Sequence, residues 1–378
     1  MKETASDEAT MTRPTTLESL ATEAIGNYLS KTTRYQKAVL KDQDPEDLHQ
    51  MRVGMRRLRT AMQVFEPVLD LPKSAREADV ANLGRKLGGL RDLDVIANLL
   101  RQQYLPDLPE IEGQALQKGF KYLRQQRKRA LKQVKAALKG DRYQRLTTRL
   151  TKWTQTPNCG DLGTLPAAMV LPDLTVPLLS HLWLHPGWLI ATAPAQGQPQ
   201  PMEAMDPDAI DAWVDQPKLH SLRKQVKRVR YQLQLVAAQY GDRLDTDLAN
   251  FQALQDILGN LQDSLVLAAF LDKAVPKWKA KLPTLKTRLT QSRYQAWGQW
   301  QALQKRYLNP QYRDALRQIL IMPGANVPEE TATPPQAATA TKPSRSRGRA
   351  TAKKTPRKPS ASKTVAKTTA TEQPPAQS

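Results

Sequence analysis

Along most of the chain apolar residues recur at intervals of three and four, the period of an α-helix, and two-residue alternation is almost missing. The pattern predicts helices at 17–41, 47–69, 73–103, 111–139, 141–153, 216–240, 245–274, 282–308 and 310–321. The expected fold class is all-α. Residues 156–215 interrupt the pattern with prolines and tryptophans. At most short helices are expected there, so the stretch reads as a long connection between a first half (13–155) and a second half (216–322). From residue 323 to 378 there is no Leu, Ile or aromatic residue. Such a segment buries too little apolar surface to offset its ordering entropy, and it is expected to be a disordered tail rich in Pro, Ala, Lys and Thr. The polar N-terminus, 1–12, carries the same expectation.

The two halves repeat. LHQMRVGMRRLRTAMQ from Leu48 matches LHSLRKQVKRVRYQLQ from Leu219, an offset of 171 residues. LGRKLGGLRDLDVIANLL from Leu83 matches LQDILGNLQDSLVLAAFL from Leu254 at the same offset, without a gap from residue 48 to residue 100. A constant offset across two helices points to a duplicated helical unit and a pseudo-symmetric architecture with a shared interface.

In the first repeat helix Leu48, Met51, Met55, Leu58, Met62 and Phe65 make one apolar face. One residue further on, about 100° around the helix, lies a second stripe: His49, Arg52, Arg56, Arg59 and Gln63. The second repeat has Leu219, Leu222, Val226, Val229, Leu233 and Val236 flanked by His220, Arg223, Lys227, Arg230 and Gln234. In helix 111–139 the apolar face is likewise flanked by Lys121, Arg124, Lys128 and Lys132. A cationic run on a single helix commonly ends as a solvated face. A fixed order of His, Arg, Arg or Lys, Arg, Gln that occurs twice beside the packed face argues instead for a groove or pore between helices. Like charges repel at these spacings, and a bound anion relieves that repulsion through charge-assisted bonds. Carboxylates look scarce: Asp47 and Glu66 flank the first stripe only at its ends.

Charge sharpens the picture. The chain carries +21 with a pI of about 10.0, of which the tail holds +7 and the body +14. The basic character is therefore a property of the body too, and it predicts a polyanionic partner. Cys159 is the one cysteine, which fits a reducing compartment. No apolar signal segment opens the sequence, and the apolar stretch 178–192 is short and broken by His181, His185 and Pro186. No membrane association is expected, and a cytoplasmic location is.

The motif that begins at His49, H-x-x-R-x-x-x-R-R-x-R, runs through Arg52, Arg56, Arg57 and Arg59. The motif that begins at His220 runs through Arg223, Lys227, Arg228 and Arg230, with Lys227 in place of an Arg. Each is followed by an LG-x-L helix. The sequence thereby resembles the conserved-histidine α-helical (CHAD) domain over roughly residues 13–322. The resemblance implies two four-helix halves around a basic central pore. It also implies inorganic polyphosphate as ligand, association with polyphosphate granules, and these residues together with Lys121, Arg124 and Lys128 as the polyphosphate-binding set.

Other signals are weaker. His181 and His185 have metal-ligand spacing, and Asp92 and Asp263 are candidate partners of His49 and His220, but their cationic neighbours disfavour a divalent metal. Gly84, Gly88 and Gly89 lack the G-K-[ST] of a phosphate loop; the recurrence of Gly88 as Gly259 suggests close helix approach. No catalytic set and no cofactor motif is recognisable, so a binding protein rather than an enzyme is expected. The competing class is sequence-independent nucleic-acid binding through the basic tail, residues 342–367. A granule scaffold is the third. The oligomeric state is not readable from the sequence.

Overall fold

The computed structural model describes residues 15–195, 197–202 and 206–323. The N-terminal segment 1–12 and all but the first residue of the tail 323–378, and with them both expectations of disorder and the candidate nucleic-acid segment 342–367, lie outside the described residues. The described body is helical, as the periodicity predicts. Its first half holds α1 (Leu17–Arg34), α2 (Gln36–Lys41), α3 (Pro45–Val64), α4 (Glu77–Asn98), α5 (Glu110–Lys139) and α6 (Asp141–Gln155). Then come α7 (Ala167–Trp183), the two-stranded hairpin of β1 (Thr192–Ala195) and β2 (Gln198–Pro201), and α8 (Pro207–Val214). The remaining helices are α9 (Pro217–Val236), α10 (Asp245–Ala274), α11 (Trp278–Lys281), α12 (Pro283–Leu308) and α13 (Pro310–Ile321).

Local chemistry sets the boundaries. Asp44 caps α3 by accepting from the backbone N–H of Glu46 at 2.8 Å, with Pro45 in the first turn. Asn309 and Pro310 open α13 in the same way. Asp42, in the left-handed region at φ 58°, closes α2 and turns the chain toward α3.

The duplication is visible in the packing. α1 packs on α3, α3 on α4, α4 on α5, and α6 returns to α1; α7 packs on α9, α9 on α10, α10 on α12, and α13 returns to α7. Met51, Met55 and Leu58 are buried, and so are their equivalents Leu222, Val226 and Val229. The halves meet along α3–α9 and α5–α10. A second apolar cluster crosses that boundary, joining Leu116, Phe120 and Leu123 to Leu267, Phe270 and Leu285. Glu112 of α5, buried, accepts from the backbone N–H groups of Thr284 (3.0 Å) and Leu285 (3.3 Å) and so caps α12 from the other half.

One expectation is corrected. The stretch 156–215 is not a connection with only short helices. It contains the 17-residue α7, which supplies the second half with the counterpart of α1. Pro172 and Pro177 disguised it, since interior prolines ordinarily break helices. The backbone carbonyls they leave unpaired belong to Ala168 and Asp173, which are exposed and can bond to water. The segment Ala167–Leu189 is also long and apolar enough to cross a membrane by length and composition. Leu171, Thr175, Leu179 and Leu182 are completely buried in this fold, and Trp183 and Trp188 nearly so, so one face of the segment packs on the core.

Candidate functional site

The polar stripes of α3 and α9 adjoin faces buried in the core. Because these two helices also pack on each other, the stripes converge at the boundary between the halves. Arg56 and Arg230, one from each half, place their guanidinium carbons 4.2 and 4.5 Å from the ring centroid of the buried Tyr231. Such contacts hold the cations in place without neutralising them. Lys227 lies near Arg52, Arg56 and Arg223. Burial first, then Arg56, Arg52 and Arg223, push its pKa down to about 7, against the opposing pull of Asp92. Burial also lowers Arg56 to about 10, with Arg52, Arg230 and Arg57 adding to the effect. The Nε–H groups of Arg56 and Arg223 are buried and have no partner among the described residues. Unmet donors on crowded cations are the condition an anion relieves.

The glycines have a definite place here. A Cβ on Gly88 would stand 3.7 Å from Arg52 Nε, and one on Gly259 would stand 3.7 Å from Arg223 Nη2. The recurring glycine thus accommodates an arginine side chain in each half, rather than only a close backbone approach. Beside α3 and α4 lies a cavity of about 460 Å³ lined by Arg52, Arg56, Arg59, Arg85, Asp92 and Lys224. Arg85 and Lys224 were not among the sequence candidates. Lys224 follows the stripe residue Arg223 directly, and Arg85 sits on α4, which shows no cationic stripe of its own.

The apparent scarcity of carboxylates needs correction, because α4 supplies two across the helix boundary. Arg52 pairs with Asp92 at 3.8 Å, and Arg59 pairs with Glu77, which also accepts from Gln63 at 2.8 Å. Asp263, the equivalent of Asp92, has its pKa raised by burial first and also by the charge of Asp92; Arg223 and Lys227 pull the other way. Cations still outnumber them. The family model for the CHAD domain matches residues 23–272, a span that holds both stripes and both LG-x-L helices.

The chain belongs to the CHAD domain family.

Among solved structures it is similar to the CHAD domain from the plant Ricinus communis, with 24% identity, covering 81% of this chain and 92% of that one, at a TM-score of 0.48. It is also similar to PptA from Streptomyces chartreusis, with 15% identity, covering 76% and 99%, at a TM-score of 0.51, a likeness of fold. No curated protein matches.

The remaining candidates of this CHAD domain fall into four groups. His49 and His220 border the cluster. Burial and cationic neighbours lower both pKa values, with Arg91 the foremost neighbour of His49 and Lys224 that of His220. His220 Nδ1 donates to Gln262 Oε1 at 2.5 Å. Arg57 has its guanidinium carbon 5.9 Å from the Tyr28 ring centroid, beside a small cavity shared with Thr60 and Tyr231. Arg228, its equivalent, is exposed. Lys121 and Lys128 are exposed on α5 and line neither cavity, whereas Arg124 lines a different cavity in the first half. Of the residues with metal-ligand spacing, His185 has both ring nitrogens engaged, accepting from Gly187 N–H at 3.0 Å and bonding Ser221 Oγ at 3.1 Å. His181 is exposed.

Proposed function

We propose that this CHAD domain binds inorganic polyphosphate on the cations that α3 and α9 bring together, and that it acts as a binding module rather than an enzyme. The observation that carries the reading is the convergence of Arg52, Arg56, Arg223 and Lys227 from two halves. The cluster is crowded enough to depress Lys227 and leaves two arginine N–H groups unmet. A chain of repeating phosphates supplies several oxyanions to such a row at once, so affinity rises with chain length and falls with salt. Family membership and the two matched motifs support the same ligand. Cytoplasmic polyphosphate granules are the location that fits it.

A competition experiment tests this. Residues 1–323 are titrated with labelled long-chain polyphosphate in the presence of duplex DNA at equal phosphate concentration. The expected result is displacement by unlabelled polyphosphate at much lower concentration than by DNA. Equal displacement sinks the reading in favour of general polyanion binding. Binding that requires residues 342–367 favours the nucleic-acid alternative.

A further inference from the structure

A second cavity, of about 810 Å³, lies in the first half where the α2–α3 corner meets α4 and α5. Two of its four carboxylates, Asp42 and Asp94, pair with Arg127. Asp42 accepts from both terminal nitrogens of Arg127 at 2.7 and 2.8 Å, and Asp94 accepts from Arg127 Nε at 2.7 Å. Asp44 caps α3, and Glu46 accepts from Gln50 at 2.5 Å. Apart from the buried Asp94, these acids belong to the corner 42–46. Arg91, Arg101 and Arg124, on the α4 and α5 side, have no carboxylate partner among the described residues. Arg101 is oriented by the ring of Phe120, 5.4 Å from its guanidinium carbon.

This cavity adjoins the inter-half cluster. Gly88 and Asp92 of α4 border the first cavity, and Arg91 and Val95, one residue back or three on along the same helix, border the second. The charges of Arg91 and Glu46, which line the second cavity, and of Arg52 and Arg56, which line the first, all act on His49. The second half does not repeat Arg91 or Arg101. At the offset of 171, Arg91 becomes Gln262 and Arg101 becomes Asp272.

We propose that the two cavities act in series, so that a long polyphosphate chain held on the inter-half cluster continues past His49 onto Arg91, Arg101 and Arg124. The inference rests on the polyphosphate reading above and adds a direction to it: the chain extends over the first half only. A short phosphate chain fills the inter-half cluster alone, and only longer chains gain from the second cavity.

The test uses the full chain with tripolyphosphate and with long-chain polyphosphate as probes. The double variant Arg101→Gln/Arg124→Gln breaks no ion pair among the described residues. It is expected to lose at least about tenfold in affinity for the long chain, as a lost segment of a multivalent contact does. The slope of log affinity against log salt should flatten by about 1 per arginine removed. Tripolyphosphate affinity should be unchanged, which also shows that the variant is folded. Unchanged long-chain affinity overturns the proposal while leaving the polyphosphate reading intact. So does an equal loss with both probes, because the cavities then do not act in series. A wild-type chain that binds neither probe removes the underlying reading instead.

Discussion

Lys227 occupies the position in the second half that Arg56 occupies in the first. An arginine there stays charged at any physiological pH, whereas a lysine can lose its proton when buried among cations. Arg52 and Arg56 of α3 and Arg223 of α9 surround it, with Asp92 of α4 opposing them. Its folded pKa of about 7 lies below the ordinary lysine value of 10.5. Between these values the unfolded chain binds more protons, so this group makes stability rise with pH across that window, and its full penalty is present below it. Replacing Lys227 with Met should therefore raise Tm at neutral pH, on the scale of about 2–4 °C per kcal/mol of relieved repulsion. It should also weaken polyphosphate binding by roughly tenfold or more, the loss of one charge-assisted bond. A bound anion reverses the crowding and raises the pKa of Lys227, His49 and His220. The protonated forms bind better, so affinity should be greatest below about pH 7 and fall as pH rises. Calorimetric titration in buffers of different ionisation enthalpy measures the accompanying proton uptake. No uptake, or affinity that rises with pH, removes Lys227 and the histidines from the site.

At the scale of elements, α7 is the informative case. A Leu179→Ala substitution deletes a completely buried side chain and should cost about 2–5 kcal/mol in denaturant unfolding. Leu184→Ala, at a position 81% exposed, should stay within about 0.5 kcal/mol. Equal effects would mean that α7 does not pack on the core as described. The prolines that hid this helix also explain how legibility was distributed. The regular helices were readable because one buried face per helix imposes a 3.6-residue period. α7 departs from the propensity rules and is held by tertiary packing on α9 and α13. The stripes were readable for the same reason as the regular helices, since each adjoins a buried face. Their partners were not. Glu77 and Asp92 stand 18 and 40 residues along the chain from Arg59 and Arg52, and only the packing of α3 on α4 brings them together. The separation of Arg124 from Lys121 and Lys128 was hidden as well. All three flank one apolar face, and which of them meets a cavity depends on the helices packed against α5.

The duplication acts on the molecule as a whole by making each half electrostatically incomplete. Either stripe alone would be a solvated basic face with little consequence for stability. Packing α3 on α9 sets the two stripes together, so the repulsion is a property of the interface between halves and is relieved by a ligand that touches both. The decisive variant therefore takes charge from both sides. Arg52→Gln/Arg56→Gln/Arg223→Gln keeps chain length and polarity, and it spares Arg230, which is buried and bonded to Gln252 and Gln255. Each charged hydrogen bond is worth roughly 1.5–3 kcal/mol, so binding should fall far more than tenfold even with strong non-additivity. The matched control removes the same charge elsewhere: Arg129, Lys132 and Lys139 on α5 are exposed and form no ion pair among the described residues. Replacing these three with Gln should lower affinity only slightly and lessen salt dependence little. Ligand-induced stabilisation gives an independent readout, since a ligand that binds only the folded state raises Tm in proportion to RT ln(1 + [L]/Kd). Saturating polyphosphate should raise Tm for the wild type and the control but not for the cluster variant. If both triple variants lose binding equally, affinity follows net charge alone, and the inter-half cluster is not the site.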